Sequence, residues 1–280
     1  NGEMNDIRKK QKKLFKILKA LVIFSAVFIF IFIGLQPTIK EYNHLLATVL
    51  TYVCDALVVA VLLFLFSYYS KYGKCDSIMT SIENEINDNG YYLTSRIEKE
   101  SSDYSKAVYD DLKNCSFSMN RNVEINDFDF SVKAMKKKEY FYCAVVEELD
   151  RNDVLAYLDT VITDITVNSL KRKGNGVLCF ITDKAEDDAI ALSKMITPLG
   201  KKEQLKIAIA ICEVSTGRVY FLGNIETKCQ QMIANFVMNC DVPIKEQYIC
   251  RDKLPFQLDL EDRIKNLTLK EIKSDYFSVH

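Results

Sequence analysis

Histidine is nearly absent from this chain. There are two, His44 and His280, and neither falls in the region that reads as a folded domain. A Ser-His or Cys-His pair cannot be built there, which argues against ordinary hydrolytic catalysis. Net charge is lacking too. The 37 basic side chains offset 38 acidic ones, so overall charge indicates neither nucleic acid nor acidic lipid as a partner. The nine cysteines form no CxxC pair, and no histidine stands at ligand spacing, so a structural zinc site is not expected. Neither GxGxxG nor GxxxxGK[ST] occurs, which removes the two common phosphate-cradling loops. The sequence names no cofactor.

What is present is uneven. Residues 14–35 read LFKILKALVIFSAVFIFIFIGL, and residues 45–66 read LLATVLTYVCDALVVAVLLFLF. Each run is long enough to cross about 30 Å of hydrocarbon as a helix. Lys16 and Lys19 can snorkel at the start of the first, and Tyr68 and Tyr69 close the second at an interface. The first run is too long for a signal-peptide core, and no small-x-small site follows it. The expectation is a transmembrane hairpin: spans at 14–35 and 45–67, joined by a short external link at 36–44 containing Pro37. Arg8, Lys9, Lys10, Lys12, Lys13 and Lys16 precede the first span, whereas the link offers Lys40 offset by Glu41. The positive-inside rule then puts residues 1–13 and the C-terminus in the cytoplasm of a cell membrane. Every cysteine but Cys54 falls on that reducing side, where scattered thiols behave as small apolar residues.

Asp55 stands near the middle of the second run. An ionised carboxylate there costs about 2.5–3.5 kcal/mol on insertion scales. Thr48, Thr51, Tyr52 and Asp55 recur at helical spacing. They read as a polar stripe: a pore lining, a contact with a basic residue of another membrane subunit, or protonated packing glue between helices. Each reading requires that the hairpin associate.

Residues 68–138 read as a juxtamembrane helical stalk or collar, with helices near 76–88 and 103–115 and a strand or two around Val123, Ile125, Phe128 and Phe130. Lys136, Lys137 and Lys138 read as solvated. From 139 to 240 the pattern sharpens into a cytosolic α/β domain. Apolar β-rich runs at 140–146, 177–182, 205–214 and 218–222 alternate with helical periodicity at 150–170, 186–196 and 225–239. The order β-α-β-α-β-β-α implies a mixed sheet, with parallel crossovers and one antiparallel hairpin at Gly217. Residues 241–280 read as an appendage with a strand at 247–250 and a charged helix from about 260.

Ligands of such sheets gather beyond the carboxyl ends of parallel strands. Glu147, Glu148, Asp183 and Glu213 fall there and form a candidate ligand or metal edge. Their spacing fits neither the topoisomerase-primase pattern nor a nuclease hairpin signature. Asp150 with Asp153, and Asp183 with Glu186, also fit helix N-termini. The leading expectation is therefore a non-enzymatic two-span protein. Its α/β domain senses a small cytosolic ligand or a partner and signals to an oligomeric hairpin, in the sharper form a pore-forming effector. Homo-oligomers or another membrane subunit are the expected membrane partners, and nucleic acid is not. The alternatives are a membrane-tethered metal-dependent enzyme acting on phosphoesters, and a structural subunit of a larger membrane complex.

Overall fold

The computed structural model describes residues 3–88, 90–199, 204–252 and 254. Described residues through Ile82 form one compact unit, and those from Glu83 onward form a second.

The first unit is built on two long helices, α1 (Glu3–Tyr42) and α2 (His44–Asn87). Both contain stretches long and apolar enough to cross a membrane. The expected nine-residue link shrinks to Asn43 alone, because α1 runs through Pro37 and α2 starts at His44. Asn43 makes this turn possible. Its side chain accepts from the Leu46 amide at 3.1 Å, satisfying a free donor of the new helix. The helices run antiparallel: Phe15 meets Tyr68 at 5.8 Å, and Leu18 packs with Tyr68 and Tyr72.

The second unit contains a mixed sheet of nine strands. In chain order these are β1 (Tyr91–Leu93), β2 (Ser118–Ile125), β3 (Phe128–Lys136), β4 (Glu139–Leu149), β5 (Gly174–Ala185), β6 (Ile196–Leu199), β7 (Leu205–Glu213), β8 (Arg218–Tyr220) and β9 (Ile249–Cys250). The helices are α3 (Ser101–Asn114), α4 (Arg151–Thr163), α5 (Asp187–Ser193) and α6 (Lys228–Met232). Short π-helical turns extend α4 over Asp164–Asn168 and α6 over Ile233–Val237. Across the sheet the order is β2-β3-β4-β5-β7-β8-β1-β9, with β6 beside the first half of β7. Among the described strands, only β4-β5 and β5-β7 pair in parallel.

These parallel strands read as continuous apolar runs because both faces are covered. Phe141, Cys143, Val177, Cys179, Ala208, Ala210 and Cys212 face α3 and α6. Tyr140, Tyr142, Leu178, Phe180, Ile207, Ile209 and Ile211 face α4 and α5. The first face is lined with small residues, and there the cysteines serve as compact hydrophobes. Burial pushes the Cys212 thiol up to about 12 and the Cys229 thiol up to about 11. Both thiols therefore stay protonated and unreactive at neutral pH.

Three expectations are corrected here. The segment from 91 to 136 is not a stalk; its strands and α3 belong to the sheet domain. The β2-β3 turn is Asn126-Asp127, with φ of 49° and 66°. Asn and Asp tolerate this left-handed pair, which a two-residue hairpin needs. Lys137, with φ of 55°, serves the same purpose between β3 and β4, so Lys137 and Lys138 are the turn and Lys136 ends β3. The seven-element order is also incomplete, since β6 intervenes between α5 and β7. Finally, Asp183 does not cap α5. It lies within β5, and the N-cap position falls to Glu186 without a side-chain bond. By contrast, Asp150 and Asp153 do form a reciprocal capping box on α4. The charged helix expected from about 260 lies outside the described residues.

Candidate coupling and membrane sites

Helix α2 does not stop where its apolar stretch stops. It continues to Asn87, and the next residue, Asp88, is buried in the sheet domain. The Asp88 carboxylate meets the Lys194 ammonium at 3.2 Å, with side-chain exposures of 4% and 0%. It also accepts from the Gly223 amide at 2.9 Å and from the Tyr92 hydroxyl at 2.7 Å. Lys194 caps the end of α5 and also donates to the Phe221 carbonyl at 3.0 Å. One turn earlier, the Asn224 side-chain amide donates to the Asn84 carbonyl at 2.8 Å, a second bond beside the one that oxygen accepts from the Asp88 backbone amide at 3.0 Å. Gly223 permits this approach: a Cβ there would lie 2.3 Å from the Tyr92 ring and hydroxyl. Burial, then the adjacent Asp88 charge, pushes the Tyr92 hydroxyl far above its ordinary value, so it remains a donor. The charges are thus paired and supplied with further hydrogen bonds, the condition under which a buried ion pair persists. Nothing in the local sequence marks Asp88 or Lys194, which stand 106 positions apart.

In the first unit the outward face of α2 carries Thr48, Tyr52 and Asp55, all exposed, with Thr51 half-buried beside them. Along the same stretch of α2, Ala47 and Cys54 are buried. Thr48 and Thr51 donate to their own helix, to His44 at 3.0 Å and Ala47 at 2.9 Å. Their hydroxyls therefore need no outside partner. Asp55 makes no hydrogen bond or ion pair with any described residue. Beyond the apolar stretch a polar cluster joins the two helices. Arg8 pairs with Asp76 at 2.5 Å and reaches Thr80 at 2.9 Å, while Gln11 donates to Asp76 at 2.7 Å. Burial opposes ionisation of Asp76, but the bonds from Gln11 and Arg8 outweigh it and hold this carboxyl below its ordinary value.

The four acids of the candidate edge have different surroundings. Glu147 and Glu148 are exposed. Asp183 is also exposed and accepts from the Ser101 hydroxyl at 3.2 Å. Glu213 is buried and used as a clamp: it accepts from the Ala185 amide at 3.1 Å and Tyr220 hydroxyl at 3.1 Å, and bonds Thr216 at 3.2 Å. These contacts tie the end of β5 to the β7-β8 hairpin. Among the described residues, no three of His, Cys, Asp and Glu converge on a point where they could hold a metal ion. The enzyme alternative gains no ligand set at this edge.

A second buried charge escaped the sequence reading. Asp164, in the π turn after α4, meets Lys133 at 2.6 Å, the Tyr142 hydroxyl at 2.6 Å and the Asn168 amide at 3.1 Å. Burial raises its carboxyl, but the bonds from Lys133, Tyr142 and Asn168 prevail and hold it below its ordinary value. No known family matches this chain, and comparison with curated proteins and with solved structures likewise gives no match.

Proposed function

We propose that this is a two-span membrane protein whose α/β domain senses a ligand or partner and signals through α2 to an oligomeric hairpin. The observation that carries the reading is the continuity of α2. One helix contains the apolar stretch, extends to Asn87 and delivers Asp88 into a buried ion pair with Lys194. A helix transmits displacement along its axis because each turn is hydrogen-bonded to the next. A shift of α5 or β8 would act on Asp88 directly.

Membrane insertion is supported by what the helices leave uncovered. Phe30, Leu45 and Phe66 are 80%, 76% and 76% exposed. Each such side chain forgoes about 1.5–3 kcal/mol when left in water. Lipid removes that cost without a protein partner. The basic residues before the first span favour both termini in the cytoplasm.

Self-association is supported by Asp55, whose carboxylate sits on the outward face of the hairpin. Copies of α2 facing one another would gather Thr48, Tyr52 and Asp55 around a polar lining. The test is ion or dye leak from liposomes carrying the purified protein. Asp55→Leu is expected to abolish leak while leaving insertion and particle mass unchanged. Equal leak from both proteins would overturn the pore lining. Asp55 also suits a basic side chain of a different membrane subunit. Co-purification of a second chain that Asp55→Leu releases would favour that reading.

A further inference from the structure

Three lysines from separate segments line one cavity of about 390 Å³ at the amino ends of β4, β5 and β7. Lys138 lies in the β3-β4 turn, Lys173 immediately precedes β5, and Lys206 is the second residue of β7. Asn175 and Gln204 add amide groups to the lining. The strand register explains the convergence. Glu139, Asn175 and Lys206 are direct neighbours across three strands, so their side chains emerge on one face.

The backbone of this rim is already satisfied. Gly174 donates to the Gln204 carbonyl at 2.9 Å, and Asn175 to the Lys138 carbonyl at 2.8 Å. The walls are therefore preset. Glu139, the carboxylate in the row, is paired with Lys228 at 3.3 Å. The ammonium groups of Lys138, Lys173 and Lys206 form no ion pair with any described residue. A concave site with three cations, two amides and, among the described residues, no unpaired acid in its lining has a positive potential. Its size lies in the range of about 300–1,000 Å³ typical of small-molecule sites. A compact anion with several acceptor oxygens suits three ammonium donors best, and phosphate is that group.

We infer that this cavity binds a phosphate-bearing anion, and that such an anion is the class of signal the domain reads. The second half rests on the sensing role proposed above; the first does not. The phosphate can come from a soluble metabolite or from a lipid headgroup. The full chain in neutral detergent is titrated by calorimetry with inorganic pyrophosphate, and separately with a water-soluble short-chain phosphatidate.

Saturable binding is expected for at least one probe. It should weaken by about tenfold or more in the Lys173→Gln/Lys206→Gln variant and persist in Lys99→Gln/Lys106→Gln, where the exposed lysines lie elsewhere. Binding of pyrophosphate assigns a soluble source; binding of phosphatidate alone assigns a headgroup. Circular dichroism establishes that each variant is folded. Absence of binding to both probes, or equal loss in the two variants, overturns the site. Intact binding with no effect of the probe on liposome leak overturns only the signalling half.

Discussion

Removing the Lys194 ammonium tests the proposed anchoring of the end of α2. In Lys194→Met the Asp88 carboxylate keeps the Gly223 amide and the Tyr92 hydroxyl but loses the fully buried Lys194 ammonium. Stranding one partner of a buried pair costs about 3–5 kcal/mol. A domain with about 5–15 kcal/mol of total stability survives that loss, but with little margin at the lower end. At roughly 2–4 °C per kcal/mol for a unit of this size, the midpoint falls by about 6–20 °C. Thermal unfolding of the detergent-solubilised full chain, followed by circular dichroism, measures this. Asp88→Asn in the same chain removes the stranded charge while retaining a side chain that reaches Gly223 and Tyr92. The double variant should recover a substantial part of the lost stability, giving a positive coupling energy in the mutant cycle. If Lys194→Met moves the midpoint by less than about 2 °C, or if the two substitutions simply add, the pair does not hold the end of α2 and cannot transmit a displacement to it.

Acid should act through Asp164. Its folded carboxyl lies below the ordinary value of 3.8, so its contribution is complete above that value and is lost as pH falls through the folded one. The stability gap between wild type and Asp164→Asn should therefore be constant near neutrality and close below about pH 4; a gap that widens on acidification contradicts the assignment. Glu213→Ala should lose about 1–3 kcal/mol by leaving the Ala185 amide unpaired, with Glu213→Gln milder. Added Mg²⁺ should leave the wild-type unfolding midpoint unchanged, and a magnesium-dependent rise absent from Glu213→Ala would revive the metal-edge reading. For topology, Tyr42→Cys, at an exposed position beside the interhelical turn, should react with a membrane-impermeant maleimide in intact cells. Native Cys115, exposed in the sheet domain, should react only after permeabilisation, and the opposite pattern would invert the orientation.

Much of the α/β centre was legible because burial leaves a local trace. The runs YFYCAVV, VLCFIT and LKIAIAICEV announce strands covered on both faces, and these became β4, β5 and β7. The flanking strands left weaker traces. β1 has three residues and β9 two, too few for a period to register. The β2-β3 hairpin turns on Asn-Asp and the β3-β4 hairpin on two lysines, where turn chemistry usually advertises itself with glycine. At the candidate edge, Glu213 was correctly placed at a strand end, but its clamp depends on Tyr220 and Ala185, which only the pairing of β5, β7 and β8 brings near.

By itself the sequence determined two things: that two stretches before about residue 70 are long and apolar enough to cross a membrane as helices, and that an α/β layout follows. Both are consequences of side-chain hydrophobicity along a local stretch, which needs no knowledge of distant residues. Only the tertiary structure decided that Asp88 would find Lys194, that Asp164 would find Lys133, and that Lys138, Lys173 and Lys206 would share a cavity. Such meetings depend on strand register and on where helices end. A displacement of one residue along a strand turns a side chain to the opposite face, so charge pairing becomes visible only when every strand has its neighbour.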